Sequence, residues 1–410
     1  MLRASVLQVI LPPAAFGCVI AGCMEPREPG VGQTIDGGIA VLLAVDSPLV
    51  SIGVADGKEP YTLSGVSDAT LLADGTIVVA DCRSGELRYF DSTGRFVSRA
   101  GGMGAGPGEF RVLGRLFHAG GDSLGADDQI GARLTIFDRG GTPIRTMSRP
   151  LSAQLLHIIG RLEDGRFVGR RTDSRTSASA GSRYRSKATL LILDGGSGEP
   201  IDSIVLPGID MLAPPSPAGP MMPLRLNRSS VFAVGSRSIF YGGQDGAGII
   251  EFDGTLNRVS VIAPITSPEA VTAEVMARFD EIVEQGADIG RGGVAGMIAG
   301  SYPDSMPAFG DLIAGSDGKL WVQDPVRPGI HPLTWTAYED GKAFLRAEVP
   351  PRFFPFEFGE DWVLGVWYDE LTVEHVQLLR LAPGTFRERG LTPHEAAPPT
   401  LPRCGAWRSR

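Results

Sequence analysis

The chain has 410 residues, a formal net charge of −9 and a sequence pI near 5.2. This acidic balance argues against a surface that binds nucleic-acid phosphates, so we expect no nucleic-acid partner. Hydrophobic residues make up 43% of the sequence, which is enough for a packed core and argues against a disordered protein.

Residues 1–22 are predicted to be an export signal. Arg3 precedes a mostly apolar run that ends in Ala21-Gly22, directly before Cys23. A secretory signal ends in small residues at its cleavage site, and a cysteine placed directly after them resembles the lipobox of bacterial lipoproteins. The resemblance implies that Cys23 is diacylated and becomes the mature N-terminus. An ordinary signal peptide, or a short membrane anchor with a chance cysteine, stays open as the alternative.

Residues 23–38 are rich in proline and glycine and are predicted to form a flexible tether. No later stretch of the sequence is long and apolar enough to span a bilayer. We therefore expect an exported protein, held to a membrane of the bacterial cell envelope by its lipid.

Short strands with period-two alternation dominate the rest of the sequence. In the first unit, Thr76–Asp81 (TIVVAD), Glu86–Phe90 (ELRYF) and Arg95–Arg99 (RFVSR) are separated by turns rich in Asp, Ser and Gly. This pattern is typical of a four-stranded antiparallel meander. One meander cannot bury both of its faces, so the unit is expected to recur.

The unit recurs five more times, over residues 118–147, 162–206, 230–264, 316–349 and 353–381. Radial packing of six such sheets around a channel leaves few exposed strand edges. The sequence therefore predicts an all-β, six-bladed β-propeller over residues 39–383. One helical segment is expected to be inserted at about 267–300, and residues 384–410 are expected to form a C-terminal tail.

The turn-and-strand pattern of the first unit, followed by the loop Gly101–Phe110 (GGMGAGPGEF), resembles the NHL-type repeat. The whole chain resembles the exported six-bladed, TolB-like propeller lipoproteins of bacteria, a family that shares an architecture and no single chemistry. In the loop, we expect the glycines to adopt positive φ angles and Phe110 to be buried between blades 1 and 2.

The sixth unit lacks an outermost strand, and an N-terminal segment matches the missing piece. The second half of Ile39–Val54, SPLVSIGV, is similar to the outermost strands of the other units. We therefore predict that this N-terminal strand completes the C-terminal blade and closes the ring, which would remove two strand edges at once.

Three insertions interrupt the blades. The basic stretch Arg170–Lys187 is interpreted as a solvated hairpin, with a contact to an anion or lipid headgroup as the alternative. Residues 211–228 are expected to cross a face of the disc as a proline-rich loop. A helix is predicted over Ser267–Gln285, with Ser267 as its N-cap and Pro268 as its first residue. It would either pack on the propeller face or act as a lid hinged by Gly286–Gly300.

No catalytic residue, metal ligand or cofactor site is assigned from the sequence. Gly121–Gly125 (GDSLG) matches a nucleophile-elbow motif, but Ser123 aligns with a strand start rather than a strand-turn-helix junction. The five histidines show no metal-binding spacing. Six-bladed lactonases resemble the predicted fold and use a Ca²⁺ site that includes asparagines, whereas the two asparagines of this chain, Asn227 and Asn257, fall in predicted loops.

Two of the four cysteines are expected to remain as thiols in the mature protein. Cys18 leaves with the signal and Cys23 carries lipid, which leaves Cys82 and Cys404. Because export places them in an oxidising compartment, a disulfide between them is predicted. A buried thiol at Cys82 and a disordered tail form the alternative.

The leading hypothesis for function is a non-catalytic, monomeric, membrane-tethered binding or scaffold propeller whose partner is an envelope protein, a peptide or a glycan. The alternative is a hydrolase or lyase, lactonase-like, with a site in the channel; a purely structural envelope role is a third possibility. A metal-competent cluster in the channel would favour an enzyme. An apolar or arginine-rich channel mouth would favour binding.

Overall fold

Six blades, each built on an antiparallel meander, form the molecule in the computed structural model. The structure describes residues 35–36, 39–45, 47–148, 156–173, 178–214, 222–264, 266–290, 301–325, 327 and 333–384, and for 35–36, 282–290 and 333 it describes the backbone only. The predicted signal, Cys23, most of the tether and the tail beyond residue 384 lie outside these residues.

The strands occur in chain order. Three N-terminal strands, β1 (Ile35–Asp36), β2 (Ile39–Ala44) and β3 (Val50–Ile52), precede the first blade, together with a single 3₁₀ turn at Glu59–Tyr61. Blade 1 contains β4 (Val66–Leu71), β5 (Ile77–Asp81), β6 (Glu86–Phe90) and β7 (Phe96–Gly101). Blade 2 contains β8 (Leu113–Gly120), β9 (Ser123–Asp128), β10 (Arg133–Phe137) and β11 (Pro143–Ser148).

The remaining blades follow the same plan. Blade 3 contains β12 (Leu156–Arg161), β13 (Phe167–Asp173), β14 (Arg183–Leu193), β15 (Pro200–Leu212) and the short β16 (Met222–Pro223). Blade 4 contains β17 (Val231–Val234), β18 (Ser238–Gly242), β19 (Ile249–Asp253) and β20 (Arg258–Ile262). Blade 5 contains β21 (Leu312–Ala314), β22 (Leu320–Gln323), β23 (Leu333–Glu339) and β24 (Lys342–Val349), and blade 6 contains β25 (Phe353–Phe358), β26 (Trp362–Tyr368) and β27 (Glu374–Pro383).

The first strands of the six blades form a closed ring. β4, β8, β12, β17, β21 and β25 each contact the next in this order, and β25 contacts β4 again. The innermost strands therefore surround a central channel, and the predicted six-bladed β-propeller is confirmed.

The N-terminal strand completes the last blade, as predicted. Ile52 pairs with Val376 and Val50 pairs with Leu378, so β3 is the outermost strand of blade 6. β2 has a role that the sequence did not indicate: it runs parallel to β24 and antiparallel to β27. The sheets of blades 5 and 6 are thereby joined into one ten-stranded sheet.

The hydrophobic core consists of clusters between neighbouring blades rather than one central mass. Phe110 is fully buried with Leu87, Tyr89 and Phe137 between blades 1 and 2, as expected for the loop that ends with it. Gly101 has a φ of +87° and packs against the Phe110 ring, so a side chain at this position would be strained and would collide with that ring.

Five blades carry a bulge at the same place, where the outermost strand leaves its turn. The extra residue is large and apolar each time, and 54–61% of it is exposed: Val97, Ile144, Ile201, Val259 and Phe344. A bulge twists an edge strand and interrupts its ladder, which disfavours pairing with another chain.

Helix α1 (Ala273–Gly290) starts later than predicted. Ala270 forms a β-bridge with Ser305, and the Val271 N–H donates to the Asp304 carbonyl, so these backbone groups are committed to a strand-like pairing. The Thr272 hydroxyl then caps the helix by accepting from the Val275 N–H, and Ser267 is not the N-cap. Among the described residues, no helix is long and apolar enough to cross a membrane.

Both ends of the basic stretch Arg170–Lys187 belong to the two paired strands of a hairpin. Residues 170–173 end β13 and residues 183–187 begin β14, and Thr172 pairs with Ala188 across them. The predicted crossing loop 211–228 likewise begins within strand β15. The short strand β16, which lies in this stretch, pairs antiparallel with Met211 and Leu212 of β15. Blade 3 is thus extended on one face of the disc.

Ring closure generates a test with a matched control. Ile52 is fully buried in the cluster between blades 6 and 1, whereas its neighbour Ser51 is exposed on the same strand. We expect Ile52→Lys to lower the free energy of unfolding by about 3–5 kcal/mol, because it buries an unpaired charge. Ser51→Lys should stay within about 0.5 kcal/mol of the parent protein. Equal denaturant midpoints for the two variants would contradict closure by β3.

Candidate functional site at the central channel

The two ends of the channel differ. At one end, here called the turn side, the innermost strands finish and turn into the second strands. At the other, the cap side, they begin, and α1 with residues 301–311 lies there. This segment is fixed to blade 4 because the Ala308 N–H donates to the Gln244 carbonyl, and the Gln244 side chain donates to the Phe309 carbonyl.

Three polar side chains meet on the turn side, each from the innermost strand of a different blade. The Thr70 hydroxyl donates to Glu357 Oε2 over 2.9 Å, and the Leu71 N–H donates to the same oxygen over 3.2 Å. His118 Nε2 lies 3.2 Å from the Thr70 hydroxyl oxygen and 3.9 Å from Glu357 Oε1. Thr70, His118 and Glu357 are called the turn-side cluster below.

Strand register explains why these three residues meet. Thr70 pairs with Val78, His118 with Leu124 and Glu357 with Leu364, near the end of β4, β8 and β25 respectively. Bulges in β8 and β25 fall directly beside His118 and Glu357. Bulges are frequent next to functional sites because they re-aim side chains.

The turn-side cluster contains an accessible base. Glu357 raises the pKa of His118 above its ordinary value of 6.5, and partial burial opposes this effect without cancelling it. The Thr70 hydroxyl already donates to Glu357, so His118 Nε2 is the donor to Thr70 and its other ring nitrogen is the acceptor. The His118 side chain is 49% exposed, so that nitrogen is within reach of a ligand.

Two arginines lie on neighbouring blades near the start of the innermost strands. Arg115, in the bulge of β8, donates from Nη1 to the Ile159 carbonyl of the next innermost strand over 3.2 Å. Arg170 is on β13, opposite His157. Burial, and next the Arg115 charge, lower the pKa of Arg170 to about 10, and the Asp311 carboxylate acts in the opposite direction. Arg115 and Arg170 are called the arginine pair below.

A carboxylate from a third blade, that of Asp311, also acts on the arginine pair. Asp311 directly precedes β21 of blade 5, which lies across the ring from blade 2, the blade of Arg115. The pKa of Arg170 in blade 3 responds to the charges of both residues, so charged groups of three blades influence one another at the cap side. A third carboxylate, Asp68, is occupied there by the Leu116 and Ala69 N–H groups.

A repeated side-chain contact holds the start of the innermost strands in place. In four blades, a side-chain oxygen at the end of the second strand, or just beyond it, accepts a hydrogen bond from the backbone N–H of the segment that leads into that blade. The pairs are Asp81 with Ser64, Asp128 with Arg111 and Val112, Gln244 with Ser229, and Gln323 with Asp311. Each such bond satisfies a donor that would otherwise be left unpaired in a crossing segment.

The turn acids have the structural role predicted for them. Asp74, Asp91, Asp138, Asp194 and Asp253 each accept from a backbone N–H two residues further on. These bonds favour the charged form and hold the pKa of each carboxyl below its usual value.

The side chains of α1 that the structure describes, those of residues 273–281, are attached to the disc by polar and aromatic contacts. Both Arg225 and the Tyr302 hydroxyl donate to Asp280, and Phe279 meets the Tyr302 ring edge-on with centroids 6.1 Å apart. No side chain from 273 to 281 is buried. The helix therefore supplies no core residue over that range, contrary to the interpretation as core packing. A segment with few buried contacts is also one that opens at low energetic cost.

Sequence reasoning identified none of the channel residues. Ser123 begins β9, so its assignment as a strand-start residue is confirmed. Within the described part of the chain, no group of three or more His, Cys, Asp or Glu residues could hold a metal ion. One sequence signal could have pointed to the channel residues: polar residues within otherwise apolar innermost or second strands, such as Thr70, His118 and Arg170.

Cys82 is buried between blades 1 and 2 and is disulfide-bonded, so the alternative of a free thiol is wrong. Its partner is not among the described residues, and both Cys23 and Cys404 lie outside them. The pairing of Cys82 with Cys404 and the lipidation of Cys23 stay predictions.

Comparison with known proteins gives similarity in fold only. No protein-family model and no curated protein matches the chain. Among solved structures, a putative exported protein from Bacteroides fragilis aligns with a TM-score of 0.44 and 12% identity, covering 84% of this chain and 100% of that one. The calcium-binding protein regucalcin from Agrobacterium tumefaciens gives 0.41 and 11%, covering 86% and 99%. Virginiamycin B lyase from Staphylococcus aureus gives 0.41 and 8%, covering 81% and 98%.

The turn-side cluster can be tested by proton NMR. We expect His118 to titrate above pH 6.5, and Glu357→Gln to move its pKa downward because the neighbouring negative charge is removed. Stabilisation from this contact is fully present below pH 6.5 and is lost as the pH rises through the folded value. Glu360→Gln, an exposed change three residues away, is the control and should leave the titration unchanged. An unaltered His118 titration in Glu357→Gln would contradict the assigned contact.

The disulfide is tested by peptide mass spectrometry on unreduced protein. We expect the Cys82 peptide to be joined to the Cys404 peptide, because signal removal and lipidation leave no other cysteine. The chain-entropy model gives such a long loop about 5–6 kcal/mol as an upper figure, so Cys404→Ser should lower the melting temperature measurably. A link from Cys82 to Cys23 would disprove both this pairing and the lipidation of Cys23.

Proposed function

We propose that this chain is a non-catalytic binding or scaffold propeller of the bacterial cell envelope, tethered by lipid at Cys23, which holds its partner through the cap side of the channel. The observation that supports the proposal is the arginine pair. Arg115 and Arg170 come from neighbouring blades, and the charges of Arg115 and of Asp311, from a third blade, both act on the pKa of Arg170. An arginine-rich mouth offers directional hydrogen-bond donors to a ligand and needs no bound metal.

The cap supports the same proposal. Residues 301–311 run directly into Asp311, so the attachment of α1 and the site in the channel belong to one continuous segment. α1 itself is held through Asp280 and Phe279 and has no buried side chain from 273 to 281. A partner that enters from this side would displace few buried contacts.

The proposal is tested by affinity capture from the organism's own envelope in detergent. The full-length protein is compared with its Arg170→Gln and Arg83→Gln variants. Arg83→Gln is the control, because Arg83 is exposed and its substitution removes the same charge outside the channel. We expect one partner, an envelope protein, a peptide or a glycan, to be recovered with the parent and with Arg83→Gln, and to be lost with Arg170→Gln. Recovery that does not differ between the two variants would overturn the role of the channel.

The tether is tested in the same cells. Cys23→Ser should move the protein from the membrane fraction to the soluble fraction, because a lipid anchor of two or more chains gives stable binding and its loss leaves none. A parent protein that is already soluble would refute lipid anchoring while leaving the binding function open.

A second candidate function, a hydrolase or lyase, is favoured by the turn-side cluster. His118 presents an acceptor nitrogen to the channel, and Glu357 raises its pKa toward the range useful for general base catalysis. Thr70 is already a donor to Glu357, so it positions His118 rather than acting as a nucleophile. Turnover of any envelope metabolite that is lost in His118→Gln and kept in Arg170→Gln would favour this function over binding.

A further inference from the structure

A guanidinium lies at the turn-side end of the channel wall, on the blade next to that of His118. Arg161 is the last residue of β12 and is half-buried. Its Nη1 lies 3.0 Å from the point that a Cβ atom on Gly120 would occupy, and its Nη2 lies 3.2 Å from the corresponding point on Gly165. The guanidinium is therefore held between the turn-side ends of blades 2 and 3, against two residues that have no side chain to cover it.

Arg161 has no hydrogen-bond or ion-pair partner among the described residues. The acidic residue of its own turn, Asp164, accepts from the N–H, Nε and Nη2 of Arg166 instead. Arg161 acts on that carboxylate through its charge alone. A guanidinium carries five N–H donors in a planar fork that fits the oxygens of an acidic group. The donors of Arg161 are thus available to a ligand.

Contacts between neighbouring blades lead from Glu357 to Arg161 around the turn-side end of the channel. Thr70 joins Glu357 of blade 6 to His118 of blade 2 through distances of 2.9 and 3.2 Å. From His118, β8 continues for two residues, or about 6–7 Å, to Gly120, where the Arg161 guanidinium lies. Glu357, Thr70, His118 and Arg161 are called the polar arc below. It covers four consecutive blades and has a carboxylate at one end and a guanidinium at the other.

The other two blades complete this end of the channel with apolar side chains. Val234 and Ala314 are the last residues of β17 and β21, the innermost strands of blades 4 and 5. Val234 packs against Gly160 of blade 3, and Ala314 lies beside Gly235 of blade 4. The ring of strand ends is therefore polar on one side and apolar on the other, which suits a small molecule with its polar groups along one edge.

The free hydrogen-bonding groups of the polar arc define what such a molecule must carry. Glu357 Oε2 accepts from Thr70 and from the Leu71 N–H, whereas among the described residues Oε1 has only the contact with His118. The outward ring nitrogen of His118 is also an acceptor, so both call for an O–H or N–H donor on the ligand. Arg161 calls for an acidic group. A carboxylate fits better than a phosphate, because Glu357 repels the larger negative charge of a phosphate more strongly.

We infer that the turn-side end of the channel binds a small molecule that carries a carboxylate and a hydroxyl or ammonium group, with the carboxylate at Arg161 and the donor group at Glu357 and His118. The inference does not rest on the partner proposed for the cap side. It gives the second candidate function the chemical class of its substrate. The two sources of a donor group, the hydroxyls of an acidic sugar and the ammonium of an amino acid, are separated by the choice of probe.

The test follows the His118 ring protons of the full-length protein by NMR while glucuronate or, separately, L-alanine is added at constant pH. We expect a saturable shift with at least one of the two probes. Arg161→Gln should raise the dissociation constant about tenfold or more, because it removes charged hydrogen bonds. Arg83→Gln removes the same charge at an exposed position on the cap side and should bind like the parent. A response to glucuronate alone indicates an acidic sugar, and a response to L-alanine alone indicates an amino acid.

Arg161→Lys controls for folding, because it keeps the charge and loses the fork. We expect it to have intermediate affinity and the melting temperature of the parent. The inference is wrong if neither probe shifts the His118 signals, or if Arg161→Gln binds as tightly as the parent. Should Arg161→Gln fail to fold, equal affinities of the parent and Arg161→Lys would overturn it. If both probes fail while the envelope partner is still captured, the inference is wrong and the proposed function stands.

Discussion

The pairing of β3 with β27 is the contact on which the rest of the molecule depends. Each blade buries its faces only against its two neighbours, so a ring open at one seam would leave two sheets half-covered. β3 places Ile52 in the cluster that blade 6 shares with blade 1. The same seam brings Glu357 of blade 6 to Thr70 of blade 1. Thus the turn-side cluster exists only because the ring is closed.

The channel combines a rigid wall with a loosely held cap. Side chains join the innermost strands across blade boundaries: Asp68 and Ser67 reach β8, and Arg115 reaches β12. In contrast, α1 depends on the contacts of Asp280 and Phe279. Local stability follows buried contacts, so the wall and the cap are expected to open at very different free energies. This arrangement keeps a site fixed in shape while its entrance can change.

The sequence was sufficient for the architecture because the architecture is built from local patterns. Period-two alternation and turns that contain Asp or Gly recur in every blade, and the missing strand of blade 6 could be matched to SPLVSIGV by inspection. The helix start was misplaced because Ala270 pairs with Ser305, a contact across 35 positions that no local capping rule contains. Propensity at Ser267 and Pro268 was overridden by tertiary pairing.

The site could not be found in this way because its parts are distant in sequence. Thr70 and Glu357 are 287 residues apart, and they meet only through ring closure. Arg170 fell within a stretch interpreted as a solvated hairpin, whereas β13 holds it partly buried and opposite His157 of the innermost strand. Single polar residues in apolar strands carry no spacing signal, so their convergence becomes visible only in three dimensions.

The placement of β2 has a mechanical consequence. A chain held to a membrane near residue 23 would transmit any pull on the disc through the N-terminal segment. β2 lies between β24 and β27 and is hydrogen-bonded on both sides. A pulling force along the axis of β2 would act parallel to the strands of these two ladders. In that direction many hydrogen bonds must break at the same time, whereas a force perpendicular to the strands would break them one after another. The pairing of β2 with β24 and β27 would therefore resist a pulling force on the N-terminus. The force would have to break these two ladders before it could act on β3, the strand that closes the ring.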